Sequence, residues 1–94
     1  MAGSALNRTV VLMVETTGMD ILRGDRVLEI GAVELVDGSL TLRRFHSYLN
    51  PGRESDPESL ALHGLSKEFL ADKPDFMDIA GRFAQFLRGA VLVT

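Results

Sequence analysis

Five consecutive apolar residues, Val10 to Val14, run straight into a carboxylate, Glu15, and the turn Thr16-Thr17-Gly18 follows at once. A strand with one wet face alternates in polarity, so an unbroken run predicts a strand buried on both faces, near the centre of a sheet. A carboxylate at the end of such a strand, beside a glycine-bearing turn, stands where α/β proteins place their chemistry. With 94 residues the chain makes one domain. A domain of this size buries only about two-thirds of the surface its unfolded chain exposes, so its core is modest.

The rest of the chain orders itself around that strand. Met1 to Asn7 reads as a flexible terminus, and residues 8–94 as the domain proper. Thr16 to Arg26 is a polar loop, and Val27 to Val36 a second strand interrupted by Glu29, Gly31 and Glu34. Asp37-Gly38 predicts a tight hairpin turn, since both residue types tolerate positive φ. Leu40 to Leu49 is then the third strand, closed by Asn50-Pro51-Gly52, which makes the first half a mostly antiparallel meander. The second half is helical. Asp56 caps a short helix with Pro57 at its first position and Gly64 as its stop. Ser66 caps another through Leu70. Asp75 caps a third, with Asp78 reaching back. Phe76, Ile79, Ala80, Phe83 and Leu87 form the stripe that faces the sheet. Gly89 ends that helix, and Ala90 to Thr94 begins a further strand. The fold class is α/β, in the order β-β-β-α-α-β with one more helix between the short helical pair and the last strand.

Composition removes several functional classes. There is no cysteine, which excludes a disulfide framework or zinc–thiolate site and leads us to expect an intracellular chain. A net charge of −3 disfavours a non-specific duplex-DNA binder held by a basic surface, but not an enzyme gripping a few nucleotides. No apolar run approaches the ~18 residues of a membrane span, and Met1 to Asn7 lacks the pattern of a signal peptide. The expected compartment is the cytoplasm, without a membrane partner.

Four segments in order now carry a resemblance. Val11-Leu12-Met13-Val14-Glu15-Thr16-Thr17-Gly18 resembles the first motif of the DnaQ-like (DEDD) 3′-5′ exonucleases, typically V-L-D-T-E-T-T-G. Leu28-Glu29-Ile30-Gly31-Ala32-Val33-Glu34 resembles their second strand. Leu62-His63-Gly64-Leu65 is similar to their V-H-G-I segment, and Asp72-Lys73-Pro74-Asp75-Phe76 to their D-K-P-x-F helix entry. The resemblance implies a ribonuclease-H-like mixed sheet, truncated here, and the proofreading of DNA by hydrolysis of phosphodiesters. It also implies Mg²⁺ or Mn²⁺ as cofactor and the 3′ end of single-stranded DNA as substrate, with DNA polymerase III subunits as partners.

The match covers the first half of that domain. In the family two carboxylates at D-x-E point the same way from one strand and share a pair of hard cations, joined by later carboxylates and a late histidine. In this chain the first of the pair is Met13, a soft thioether that does not suit Mg²⁺, and is expected to fill apolar space. Glu15 is the residual catalytic carboxylate, a weak metal ligand that needs further donors. The resemblance makes Thr16, Thr17, Gly18, Met19 and His63 the residues that meet the 3′-terminal nucleotide, with Gly18 also expected to supply special turn angles. His46 reads as a half-exposed sheet residue, and the arginines Arg23, Arg26, Arg43 and Arg44 as a solvated face. The reading is of an exonuclease relative that is itself inactive. The alternative is a non-catalytic module that pairs through its open sheet edge, at Ala90 to Thr94, with a second copy, a polymerase subunit or a separate C-terminal half.

Overall fold

A computed structural model describes residues 7–94. The expected flexibility of residues 1–6 lies outside that range. Asn7 is tied to the hairpin turn, where its carbonyl accepts the Asp37 N–H at 2.9 Å. The elements run β1 (Arg8–Thr16), a short 3-10 turn (Ile21–Arg23), β2 (Val27–Val36), β3 (Ser39–Tyr48), α1 (Pro57–His63), α2 (Lys67–Leu70), α3 (Phe76–Leu87) and β4 (Val91–Val93).

The four strands form one mixed sheet in the order β3-β2-β1-β4. β1 and β2 pair antiparallel with Met13 opposite Gly31 and Glu15 opposite Glu29. β2 and β3 continue the meander through Asp37 and Gly38, whose φ values of 52° and 82° are both positive, as the dipeptide required. β4 returns parallel to β1, Thr9 facing Val91. The crossover from β3 to β4 is therefore the helical half.

That crossover covers one face of the sheet. Val10, Ala32 and Phe86 make one buried cluster, Ile30, Leu49 and Ile79 a second, and Leu12 and Phe45 pack against both. Phe45 meets the rings of Phe83 and Phe86 at centroid distances of 5.2 and 6.1 Å. Side chains alternate along a strand, so Val11, Met13 and Glu15 point to the opposite face, which no helix among the described residues covers. The expectation that β1 is buried on both faces is thus corrected: Val10 is fully buried, but Met13 is 68% exposed. The stripe on α3 holds at Ile79, Phe83 and Leu87, which pack onto the buried clusters, and is corrected at Phe76, with Phe86 added. Phe86 is buried against Val10, Ala32 and Phe45, and Phe76 is half exposed beside Phe83.

Two helix ends behave as their sequences ask. Gly64 closes α1 in the left-handed conformation, and Ser66 Oγ accepts the Phe69 N–H at 3.1 Å to start α2. The Asp78 carboxylate accepts the Asp75 N–H at 3.0 Å at the start of α3. Asp56 departs from expectation: it occupies the N-cap position of α1 but its side chain makes no capping bond. Its carboxylate is turned to the loop after β1 instead.

Candidate functional site

Met13 and Glu15 lie two residues apart on the open face, so a thioether and a carboxylate stand side by side there. Met13 does not fill enclosed space, as its residue type had suggested. It borders a shallow groove of about 340 Å³ whose floor is Gly31 and whose walls include Val11, Val33, Arg44 and His46. The lack of a side chain at Gly31 is what makes the groove. Glu15 is half buried, directly across from Glu29. The Glu29 carboxylate is 2.7 Å from His46 Nε2, and so is already engaged. His46 is 49% exposed at its side chain, the half-exposed sheet position expected of it.

The loop after β1 is held from within. Thr17 is fully buried, and its hydroxyl donates to Asp25 Oδ1 at 2.8 Å while accepting the Arg26 N–H at 3.0 Å. Its own N–H donates to the Arg26 carbonyl at 2.9 Å, and its carbonyl accepts the Asp56 N–H at 2.7 Å. The second oxygen of Asp25 accepts the Asp20 N–H at 3.0 Å. These donors, the Asp20 N–H first and the Thr17 hydroxyl second, hold the Asp25 carboxyl below its ordinary value. Arg53 adds a longer ion pair at 3.8 Å.

Gly18 lies against two carboxylates. A Cβ there would come within 2.3 Å of Asp56 Oδ2 and 2.4 Å of Asp25 Oδ2. Its φ is not among the positive ones, so glycine is required for close approach rather than for an unusual backbone angle, which corrects the earlier expectation. Thr16 Oγ1 donates to the Gly18 carbonyl at 2.7 Å. Met19 follows at 99% exposure, with nothing to pack against.

His63 closes α1. Its Nδ1 accepts the Leu65 N–H at 2.9 Å and its Nε2 lies 3.1 Å from Ser55 Oγ. A ring nitrogen that accepts carries no proton, so the proton is on Nε2 and points to the serine. The pair therefore leaves Ser55 unactivated as a nucleophile. Ser55 adjoins Asp56, whose N–H holds the Thr17 carbonyl, and this links α1 to the loop without direct contact between His63 and Glu15.

Thr16, Thr17, Gly18 and Met19 thus form one turn. Glu15 adjoins it on the strand, and His63 is joined to it through Ser55 and Asp56. Asp25 was read only as part of a polar loop and Asp56 only as a helix cap, and both prove central to the turn. The signal for them was slight: a buried threonine needs a partner, but only the fold identifies which carboxylate supplies it. Among the described residues, no group of three His, Cys, Asp or Glu converges in a way that could hold a metal ion. No described helix is long and apolar enough to cross a membrane.

The profile of the RNase_T family, described as exonuclease, matches residues 10–94. The chain belongs to that exonuclease family. Within it, DNA polymerase III subunit epsilon of Escherichia coli K12 is 47% identical, over 96% of this chain and 39% of the relative. The subunit of the same name from Rickettsia typhi is 45% identical over 92% of this chain and 38% of its own length. The chain spans well under half the length of these curated relatives. Among solved structures, Exonuclease X in complex with 5′ overhanging duplex DNA superposes with a TM-score of 0.68 at 27% identity, covering 80% of this chain and 42% of that one. A product-bound exonuclease I gives 0.76 at 14% identity, over 92% of this chain and 21% of that one, a likeness of fold. The mixed sheet with its helical crossover is thus the exonuclease, ribonuclease-H-like architecture expected from the sequence.

Proposed function

We propose that this chain is the nucleotide-contacting first part of a 3′-5′ DNA exonuclease of the proofreading, polymerase III epsilon type, and that its own residues do not hydrolyse DNA. One observation carries the second half of the reading: Met13, 68% exposed, stands on the open face two residues before Glu15, where the family's motif has aspartate. The family's hydrolysis uses Mg²⁺ or Mn²⁺, and the donors here do not fit such a cation. Glu15 supplies oxygen, Met13 supplies sulfur that a hard cation rejects, and Glu29 is taken up by His46. No step of the reaction is therefore assigned to this chain.

The retained part is recognition. Thr16, Gly18 and Met19 offer backbone and an exposed apolar side chain to the 3′-terminal nucleotide of single-stranded DNA. Thr17 supports that turn from inside, and His63 borders it through α1. The compartment is the cytoplasm, and subunits of DNA polymerase III are the assembly partners. The test is a nuclease assay on single-stranded DNA with Mg²⁺ or Mn²⁺. No release of nucleotides is expected, and hydrolysis that disappears in Glu15→Ala would refute the reading.

The sheet edge supports a second reading, a non-catalytic protein-binding module. β4 pairs with β1 on one side only, and Val91, Leu92 and Val93 are all exposed, a template for another strand. The added strand would come from a second copy, a polymerase subunit or a separate C-terminal half. Mass measurement in solution separates the first of these: a dimer at micromolar concentration that Leu92→Pro dissociates supports edge pairing between copies, and a strict monomer removes it.

A further inference from the structure

We infer that Asp25 is the positioning residue of the nucleotide-contacting turn, holding the Thr16–Met19 segment in the shape that reads a 3′ terminus. The inference rests on the proposed role of that turn and goes beyond it, since Asp25 lies outside every segment on which the exonuclease resemblance was founded.

The geometry is specific. One Asp25 oxygen takes the Thr17 hydroxyl at 2.8 Å and the other the Asp20 N–H at 3.0 Å. The carboxylate therefore grips the chain on both sides of Gly18 and Met19. The return bond, Asp25 N–H to the Asp20 carbonyl at 3.2 Å, closes the grip into a ring. The α1 N-terminus joins in: the Asp56 N–H binds the Thr17 carbonyl at 2.7 Å, and its carboxylate crowds the same side of Gly18 as Asp25. Arg53 bridges the Asp25 carboxylate at 3.8 Å and the Arg23 carbonyl at 2.7 Å, tying the segment after β3 to the same ring. The Asp25 side chain is only 7% exposed.

This arrangement leaves Met19 as the one fully exposed residue of the four in the turn. Thr17 and Gly18 are buried, Met19 is bare, and Thr16 spends its hydroxyl on the Gly18 carbonyl. A ligand at this turn meets backbone and Met19, whose placement depends on the ring and not on contacts of their own. Asp25 touches no ligand. It fixes the amide directions that a terminal sugar hydroxyl would test, so its loss reduces discrimination between ends before it reduces folding.

The experiment uses two oligothymidylates in EDTA, one ending in a 3′-hydroxyl and one in a 3′-phosphate, titrated by fluorescence anisotropy into the wild-type chain, Asp25→Ala, Thr17→Val and Thr17→Ser. All are measured well below each variant's Tm. The wild type is expected to prefer the 3′-hydroxyl end. Asp25→Ala and Thr17→Val should lose about ten-fold in that preference, while Thr17→Ser, which keeps the hydroxyl, restores it. A wild type with a preference that both Asp25→Ala and Thr17→Val retain overturns the positioning role alone. A wild type with no preference between ends overturns the nucleotide-contacting turn, and the positioning role falls with it. If Asp25→Ala does not fold, the Thr17→Val and Thr17→Ser pair decides the question.

Discussion

Arg8, the first residue of β1, forms an ion pair with Glu34 in β2 and donates from the same guanidinium to the carbonyls of Phe86 and Arg88 at the end of α3. The side chains are 15% and 4% exposed. Glu34 is further satisfied by the Thr41 hydroxyl at 2.8 Å and Arg43 at 3.2 Å. Three strands meet at one buried carboxylate, and Arg8 ties the end of α3 to it.

Removing one partner of a buried pair strands the other, so Glu34→Ala should cost about 3 kcal/mol in a urea titration. The double change Arg8→Met with Glu34→Leu should cost less than Glu34→Ala alone, because neither charge remains to be stranded. A double variant less stable than Glu34→Ala would show that the pair adds net stability beyond its own desolvation.

The same carboxylate gives the protein an acid limb. Arg8 first, then Thr41, holds Glu34 below its ordinary value of 4.5, and Asp25 is likewise held below 3.8. For both groups the unfolded chain binds protons more readily, so their contribution is complete above those ordinary values and is lost as pH falls through the folded-state values. The urea midpoint should therefore drop on acidification from about pH 5 toward pH 3, and less steeply in Glu34→Gln. Parallel curves for the two proteins would exclude Glu34 as the source.

Two glycines should answer oppositely to the same change. Gly18→Ala drives a methyl into two carboxylates at 2.3 and 2.4 Å, and is expected to destabilise by about 2 kcal/mol or more. Gly31→Ala meets nothing within 4 Å, so it should be neutral or raise stability by up to about 1 kcal/mol through the lower entropy of the unfolded chain. Thermal melts of the pair check both at once.

Met13→Asp replaces an exposed side chain, so its effect on stability should stay within about 1 kcal/mol. Expected alongside is no gain of nuclease activity in this chain, because one restored carboxylate does not complete a cation site. A large loss of stability would mean that Met13 packs against something in solution.

Local signals in the sequence located most elements. Asp37-Gly38 marks its hairpin because positive φ at two successive residues is a local demand, and the caps at Ser66 and Asp75 are local in the same sense. Face and depth were not legible. Whether β1 is covered once or twice depends on where residues 76–87 return, and nothing between Val10 and Val14 encodes that. Phe76 and Phe86 look equally apolar, and only the sheet residues that Phe86 reaches, Val10 and Ala32, separate them. Arg8 and Glu34 are 26 residues apart, and neither residue type announces a buried partner. At the candidate site the family motif pointed to Glu15 and its turn, while the parts played by Asp25 and Asp56 became visible only when the chain brought both carboxylates against Gly18.

The parallel pairing of β1 with β4 also sets an order of events during folding. β1 finds its antiparallel neighbour β2 within a short stretch of chain, but its other neighbour is made some eighty residues later, the span that Arg8 bridges to the Arg88 carbonyl. Long-range closure of this kind is slow relative to hairpin formation. The strand that begins the sheet, and carries Glu15, is therefore among the last to be locked in place. A kinetic probe at Val10 should report a later phase than one at the Asp37 turn.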